Sequence, residues 1–234
     1  MNEIGVFEAI HTARALRQFK PDPVPEAAIT QILDAAIRAP SAGNAQNWVF
    51  IVVRELEQRR KLGAIYRKAS DIASAMYAVR GRPSHMTEEQ FQHFLRSGAH
   101  LWDHMADAPV ILVPCQSRPQ LPPQPSLPRE LRERFADEER YVERIRGASI
   151  YPAVQNIILA CRALGLGTTI TTNHIRYENE VKAVLGIPDD VDTFAMMPIG
   201  YPRGRFGPLQ RRLVAEVACA DRWSRAWSGV LTVR

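Results

Sequence analysis

Two arginines near the start of the chain are the first residues whose type and spacing suggest chemistry. Arg14 and Arg17 stand three positions apart in the stretch Thr12–Phe19. If this stretch ends a helix, both guanidinium groups project from the same face. Planar guanidiniums arranged in this way suit an anion such as a phosphate or a carboxylate. The spacing therefore predicts an anion-binding pair.

Two further segments could complete such a site. The loop Pro40–Trp48 combines small residues, which allow a ligand to approach closely, with amide side chains that can recognise the edge of a heterocycle. Near the other end of the chain, Arg211 and Arg212 precede a predicted strand. On composition alone an alternative stays open, in which the arginines are surface charges and Ser41–Gln46 is an ordinary turn.

Several familiar catalytic signatures are absent from the sequence. It contains no GxGxxG or GxxxxGK[ST] phosphate loop and no GxSxG or HExxH motif. His100 and His104 share a helical face, which is a spacing that can chelate a metal. No glutamate follows His100 and no third ligand is evident, so we expect an ordinary polar helix face and no metal site.

The composition is that of an ordinary globular protein. Apolar residues make up 46% of the chain, charged residues 24%, and the mean hydropathy is −0.22. The longest apolar stretches, Trp48–Val53 and Pro109–Cys115, are far shorter than the roughly 20 residues that a membrane-spanning helix needs. The three cysteines are widely spaced and odd in number, which argues against a disulfide framework. We therefore expect a cytoplasmic protein without a signal peptide or a membrane association.

The basic charge is concentrated at the carboxyl end. Residues 202–234 hold seven arginines against Glu216 and Asp221, which accounts for the whole formal net charge of +5. Such a local excess suggests an anionic partner: a nucleic acid, a membrane surface or a phosphorylated small molecule. The absence of a recognised nucleic-acid-binding module disfavours the first of these.

The helices and strands that must position these residues are predicted from the periodicity of apolar residues and from the prolines and glycines that end regular structure. The predicted helices cover residues 3–16, 25–39, 55–80, 87–106, 129–146, 150–164 and 176–185, and the predicted strands cover 48–53, 108–114, 168–172, 193–199 and 213–219. The order is not a strict alternation of strand and helix. It favours an α+β fold with helices on a mostly antiparallel or mixed sheet, in a single domain over residues 1–234. The proline-rich stretch 116–128 is predicted to be a surface excursion.

The order of these segments resembles the FMN-dependent nitroreductase family. The family opens with a motif like S-R-R-S-I-R-x-F and a P-x-P-V-P connector, which stand here as Thr12–Pro25. Its A-P-S-x-x-N-x-Q-P-W loop stands here as Ala39–Trp48. Later family motifs are A-x-Q-N before G-L-G, then L-G-I-P, P-I-G-Y-P and R-[KR]-P-L; they correspond here to Ala153–Asn156, Gly165–Gly167, Leu185–Pro188, Pro198–Pro202 and Arg211–Val214. Residues 67–105 and 116–147 match no family motif, and we expect these variable excursions to cover the site.

The resemblance implies an intertwined α+β homodimer, with a carboxyl-terminal arm on the partner subunit and FMN at the subunit interface. It assigns cofactor binding to segments at four places in the chain. The residues concerned are Arg14, Ala15, Arg17, Pro40, Ser41, Ala42, Asn44, Ile170, Thr171, Thr172 and Arg211. Arg17 would serve the N1/O2 edge of the flavin and Arg211 the phosphate, while Pro40–Asn44 would come from the partner. Ile170–Thr172 would run beside N5.

The activity that the resemblance implies is a ping-pong transfer of reducing equivalents from NADH or NADPH to a small acceptor such as a nitroaromatic or a quinone. No side chain need act as a catalytic acid or base. Ala13 and Asn47 depart from the family pattern, and the threonine-rich Thr168–Thr172 resembles the branch that contains flavin-dependent reductive dehalogenases. A hydroxyl at Thr172 near N5 could favour one-electron chemistry. A dehalogenase and a non-catalytic module that stores FMN or senses redox state therefore stand as alternatives.

Overall fold

The structure, a computed structural model, describes residues 4–119 and 122–229. The helices are α1 (Val6–Thr12), α2 (Glu26–Ala36), α3 (Leu56–Arg80), α4 (Glu88–His104), α5 (Arg129–Glu133), α6 (Phe135–Ile145), α7 (Ile150–Ala163), α8 (Glu178–Leu185) and α9 (Val214–Val217). The strands are β1 (Trp48–Val53), β2 (Val110–Ser117), β3 (Gly167–Thr168), β4 (Val191–Thr193) and β5 (Met197–Gly200).

The strands form one sheet with β2 at its centre. β1 pairs along one side of β2, from Trp48 opposite Gln116 to Val53 opposite Ile111. β4 and β5 share the other side of β2, and β3 extends the sheet beyond β5. The paired strands are antiparallel throughout. The predicted α+β class with a mostly antiparallel sheet is therefore confirmed.

The core lies on both faces of this sheet because β2 is buried on both sides. Val110 and Leu112 face a cluster that contains α2 and α7, whereas Ile111, Val113 and Cys115 face a second cluster with α3 and α8. This alternation follows from the period of two residues in a strand. The two helical layers thus enclose the sheet.

Most helix predictions hold to within a few residues. β1 and α3 match the predicted ranges closely, and α4 ends two residues before the predicted limit. The helix predicted over 129–146 is divided in two, because Arg134 leaves the helical region with φ −105° and ψ 8°. Pro25 caps α2 from outside the helix (ψ 144°) and is not its first residue. Predictions that fall on Glu3, on residues 120–121 of the proline-rich excursion and on Arg234 lie outside the described residues.

Three strand predictions need correction. The strand expected over 193–199 is split into β4 and β5, which pair with different parts of β2. The strand expected over 168–172 ends at Thr168, and only an isolated bridge joins Thr171 to Met196. The last predicted strand, 213–219, is wrong: its centre is the short helix α9, and Val217 is 61% exposed. In residues 4–119 and 122–229 this segment joins no strand of the sheet, and its Cys219 forms an isolated bridge with Ala226.

Among the described helices, none combines the length and the apolar character needed to cross a membrane.

Candidate active site

The segment after α1 carries the first arginine pair, but not on a helix. α1 ends at Thr12, and Arg14 N donates to Thr12 O at 2.8 Å around Ala13. The dihedral angles of Ala13 (φ −73°, ψ 65°) are those of an inverse γ-turn. The expectation that Arg14 and Arg17 share a helical face is therefore wrong, because the chain leaves the helix before either residue.

Long-range backbone bonds hold this segment in place. Leu16 N donates to Thr168 O at 3.1 Å, and Lys20 N donates to Tyr201 O at 2.8 Å. Phe19 also forms a bridge with Pro202. As a result, Arg17 lies next to the chain that leaves β3, and both line one cavity. The structure thus brings together Arg17 and Ile170–Thr172, as the resemblance implies.

The guanidinium of Arg17 is fixed but not neutralised. Its Nη1 donates to Ser97 Oγ of α4 at 3.2 Å. Within the described residues no carboxylate lies within 4.0 Å of it. Burial lowers the pKa of Arg17, an effect that Tyr66 and Tyr77 oppose. Because an arginine side chain stays charged in proteins, this position presents a partly desolvated positive charge.

The cavity beside Arg17 has a volume of about 250 Å³ and aromatic walls. Tyr66 and Tyr77 come from α3, and Phe94 and Trp102 come from α4. Burial raises the pKa of Tyr66, while the neighbouring Thr171, Arg17 and Asn173 oppose this shift. The phenol therefore remains neutral at physiological pH.

The chain that leaves β3 forms the polar side of the cavity. The backbone of Thr171 is fixed, because Met196 N donates to Thr171 O at 2.9 Å. The Thr171 hydroxyl is buried near Tyr66 but has no hydrogen-bond partner in good geometry. Ile170 and Thr172 are exposed, and Thr172 starts a short 3₁₀ helix, Asn173–Tyr177. Together with Thr169 and Asn173, these threonines make this edge of the cavity polar.

The loop predicted to bind from a partner is folded but lies away from this cavity. Ser41 Oγ accepts from Gln46 N at 3.1 Å, and Ala42 N donates to Ser149 Oγ at 3.1 Å. Asn44 adopts a left-handed backbone with φ 53°, which asparagine tolerates better than most residues. Pro40 and Ala42–Gln46 are exposed. The structure does not bring this loop to Arg17 within one chain.

The remaining predicted arginines lie along the outside of α1. Leu209 N donates to His11 O at 3.0 Å, so the segment that carries Arg211 runs past the end of α1 and Arg14. Arg14, Ala15 and Arg211 are exposed. Arg211 donates to the neighbouring Gln210 O at 2.8 Å and does not line the cavity.

The histidine pair and the three cysteines do not line the cavity beside Arg17. The rings of His100 and His104 stack with centroids 4.3 Å apart, and His104 Nδ1 lies 2.8 Å from Asp107 Oδ2. No cluster of three metal-ligating side chains occurs in residues 4–119 or 122–229. Burial raises the pKa of the Cys161 thiol, which lies in the core.

Several residues of this site were not found from the sequence. Tyr66 and Tyr77 carry no sequence signal beyond their place on a predicted helix, and Ser97, Phe94 and Trp102 lie in a stretch without any family motif. Their positions depend on how α3 and α4 pack against each other and beside Arg17, which local spacing does not encode.

Comparisons with known proteins identify related chains. The model of the Nitroreductase family matches residues 10–201. An NADH dehydrogenase of Thermus thermophilus is 26% identical over 205 residues, which cover 85% of this chain and 87% of that protein. Iodotyrosine deiodinase 1 of Rattus norvegicus is 22% identical over 215 residues, which cover 90% of this chain and 67% of that protein.

The fold has a close counterpart among solved structures. A crystal structure of oxidised iodotyrosine deiodinase bound to FMN and 3-iodo-L-tyrosine aligns with a TM-score of 0.65 and 19% identity. The alignment covers 90% of this chain and 96% of that one. At this identity the likeness concerns the fold.

Proposed function

Because the chain belongs to the nitroreductase family, we propose that it is an FMN-dependent oxidoreductase that passes reducing equivalents from NADH or NADPH to a small electron acceptor. The observation that carries this proposal is the position of Arg17. Its guanidinium is unpaired by any described carboxylate and held 3.2 Å from Ser97, at a cavity edge lined by Thr169, Thr171 and Thr172. A flavin has both an anionic edge and polar ring atoms, which could interact with these residues of the cavity.

The residues at the site carry the kinds of chemical group that could bind FMN. Arg17 and the backbone and hydroxyls of Ile170–Thr172 would hold the ring system, and Arg14, Ala15 and Arg211 would serve its ribityl phosphate. The names of several relatives support this assignment, including the NADH dehydrogenase of Thermus thermophilus and the FMN-bound iodotyrosine deiodinase. When bound, FMN supplies the hydride and electron transfer chemistry.

The role of the protein is then electrostatic and positional. Arg17 stabilises negative charge at the N1/O2 edge, because its guanidinium is already fixed before the charge develops. The aromatic residues of α3 and α4 exclude water and shape the space for an acceptor. In this proposal no side chain acts as a catalytic acid or base, and the order of events is a ping-pong exchange of co-substrate and acceptor.

We propose that the working form is a homodimer. Pro40, Ser41, Ala42 and Asn44 would then reach the flavin of the partner subunit, since they do not line the cavity of their own chain. Large apolar side chains on α1 and on the carboxyl-terminal segment support this arrangement, including Phe7 at 72% and Trp223 at 91% exposure. We further propose a single domain over residues 1–234, with 67–105 and 116–147 as variable excursions.

A cytoplasmic location is part of the proposal. Cys115, Cys161 and Cys219 are all free thiols, which is the state that a reducing compartment maintains.

Reductive dehalogenation is a second candidate function. The observation that favours it is the hydroxyl-rich chain after β3, where Thr169, Thr171 and Thr172 line the cavity, together with the iodotyrosine deiodinase relatives. A hydroxyl near N5 would favour one-electron steps over hydride transfer.

An absorption spectrum of the purified protein tests the proposal directly. We expect flavin bands that bleach on anaerobic addition of NADH or NADPH and return when a nitroaromatic or a quinone is added. A parallel assay with a halogenated phenol and a chemical reductant separates the dehalogenase from the reductase. A yellow protein that neither NADH nor NADPH bleaches would instead be an FMN-storing or redox-sensing module, and a colourless protein that takes up no FMN would refute the flavin assignment.

A further inference from the structure

A second cavity lies on the other side of the segment that carries Arg17. Its volume is about 720 Å³, and it is bounded by residues 17–24, by the junction of β1 and α3, and by the end of α4. This volume falls in the range of small-molecule sites, which is roughly 300–1,000 Å³. The proposed flavin role assigns nothing to it.

The cavity is lined by an excess of unpaired positive charge. Arg17, Arg54, Arg59 and Arg203 all face it, and none of them forms an ion pair with a carboxylate of residues 4–119 or 122–229. Asp107 is the one acidic side chain among the lining residues, and it is bonded to His104. Charges of one sign gathered around a concave surface attract a counter-ion.

Two of these arginines are held in place by uncharged groups. Arg59 Nη1 donates to Ala106 O at 2.5 Å and to Ala108 O at 2.6 Å, and its Nε donates to Arg54 O at 3.2 Å. Arg203 Nε donates to Phe19 O at 2.9 Å. Burial lowers the pKa of Arg59. Carbonyl oxygens therefore fix both guanidiniums without neutralising them, and part of each donor set remains available.

The third arginine is free to reach a ligand. Arg54 follows the last residue of β1, its side chain is exposed, and among the described residues it has no side-chain hydrogen bond. The lining also includes the apolar side chains of Phe19, Pro21 and Pro23. Such a surface packs well against a planar or apolar body.

We propose that this cavity binds an organic phosphate, with the phosphoryl group on Arg54, Arg59 and Arg203 and the organic body against Phe19 and the two prolines. Several guanidiniums suit a phosphoryl group because it carries more than one negative charge and accepts bidentate hydrogen bonds. The site is separate from the flavin cavity and depends on residues that the proposed function does not use, apart from Arg17 at the shared wall.

ADP is the probe for this proposal, with adenosine and inorganic phosphate as the two partial ligands. Calorimetric titration is performed on the full chain saturated with FMN, so that the flavin phosphate site is occupied. We expect ADP to bind with an affinity that falls as salt rises, and adenosine to bind at least about tenfold more weakly. Flavin absorbance is recorded throughout. Displacement of FMN by ADP, or equal affinity for ADP and adenosine, would overturn the proposal.

Arg54→Ser is the informative variant, since the Arg54 side chain supports no other described group. We expect it to weaken ADP binding about tenfold while the flavin spectrum stays unchanged. Arg60→Ser is the matched control, because the Arg60 side chain is exposed and pairs with Glu57. Arg203→Lys, which keeps the charge, should retain part of the affinity. If Arg54→Ser binds ADP as tightly as Arg60→Ser does, the site assignment fails, whether or not the protein proves to be a flavoenzyme.

Discussion

Arg17 Nη1 donates a hydrogen bond to Ser97 Oγ at 3.2 Å, although the two residues are 80 positions apart. Arg17 belongs to the part of the chain that carries family motifs, whereas Ser97 lies in the excursion 67–105, which carries none. Helix α4 therefore orients the guanidinium that we assign to the flavin.

Removal of the Ser97 hydroxyl tests this relationship. We expect Ser97→Ala to weaken FMN binding several-fold, because Arg17 loses the acceptor that orients it and a hydrogen bond of this kind contributes about 0.5–1.5 kcal/mol. FMN fluorescence titration measures the change, and the flavin absorption maximum should shift with it. Ser97→Thr should restore both values. Arg96→Ala, at an exposed neighbouring position of α4, is the control. Unchanged affinity and spectrum in Ser97→Ala would show that Arg17 is oriented by other contacts.

Replacement of Arg17 should affect FMN binding more than replacement of Ser97. We expect Arg17→Ala to lower FMN affinity about tenfold or more, or to slow flavin reduction, since the N1/O2 charge loses its partner. Arg17→Lys keeps the positive charge but loses the forked geometry of the guanidinium. Its FMN affinity and its rate of flavin reduction should therefore lie between those of Arg17→Ala and of the parent protein. Stopped-flow reduction and FMN titration measure the two effects. A variant that binds FMN and turns over like the parent protein would remove Arg17 from the site.

Buried His174 should make the protein sensitive to mild acid. Burial lowers its pKa to about 4, its Nε2 lies 3.1 Å from Thr193 Oγ1, and its Nδ1 has no described partner. The unfolded chain takes up a proton near pH 6.5 but the folded chain does not, so the free energy of unfolding decreases as pH falls from 6.5 towards 4. The full effect is roughly 3 kcal/mol, from about 1.4 kcal/mol per pH unit.

His174→Gln should remove most of this dependence. Urea unfolding at pH 7 and pH 5 measures it, and His93→Gln at an exposed position of α4 serves as control. A parent protein whose free energy of unfolding is the same at both pH values would contradict the assignment of His174 as a buried neutral side chain.

Asp192 ties both ends of the excursion 116–147 to the sheet. Arg118 approaches Asp192 with Nη2 and Oδ1 2.7 Å apart, Arg146 also bonds to this carboxylate, and Lys182 Nζ lies at 3.8 Å. Burial acts to raise the pKa of Asp192, but the two arginines outweigh it and the pKa is lowered.

Loss of this carboxylate should therefore destabilise the fold. We expect Asp192→Asn to reduce the free energy of unfolding by about 3 kcal/mol, because the neighbouring cations lose their partner in a partly buried place. Asp137→Asn removes an exposed partner of Arg140 and should cost less than about 0.5 kcal/mol. Thermal unfolding compares the two. Similar melting temperatures for both variants would show that the excursion is not held by Asp192.

The exposed apolar residues at the carboxyl end should be covered in solution. Trp223 is 91% exposed and Leu213 is 70% exposed, which is costly for an isolated chain. We expect the parent protein to be a dimer by light scattering after gel filtration, and Trp223→Ala to dissociate at higher concentration than the parent. Tyr141→Ala, at another exposed aromatic position, is the control. A parent protein that remains monomeric at all concentrations would exclude the dimer.

The sequence predicts the fold well where local pattern and burial agree. The family assignment is confirmed, and with it an enzyme of that family. β1 was found because Trp48–Val53 is an apolar run of strand length between two polar segments. The strand predicted over 213–219 failed because β propensity reflects packing against neighbouring strands, and this segment does not join the sheet that the described residues form.

Only part of the candidate site was predicted from the sequence. Arg17 and Thr171 were found through motifs, and the structure brings them to one cavity. Ser97 and Trp102 were missed because their contribution depends on how α4 packs beside the distant Arg17, and the spacing of residues within α4 does not predict that packing. The sequence predicted a helix that includes Arg14. In the structure the inverse γ-turn at Ala13 ends this helix before Arg14.

The segment around Arg17 has a consequence for the order in which the protein is made. Residues 16–20 leave the ribosome early, yet the bonds that hold them come from Thr168 and from Tyr201–Arg203, which are synthesised late. Contacts of such large separation close last. A nascent chain therefore carries Arg17 without these fixing bonds until residues 168 to 203 have been made. Under the proposed function, FMN would be held only after the chain up to Arg203 has emerged, which would make flavin loading a much later event than synthesis of the arginine that binds it.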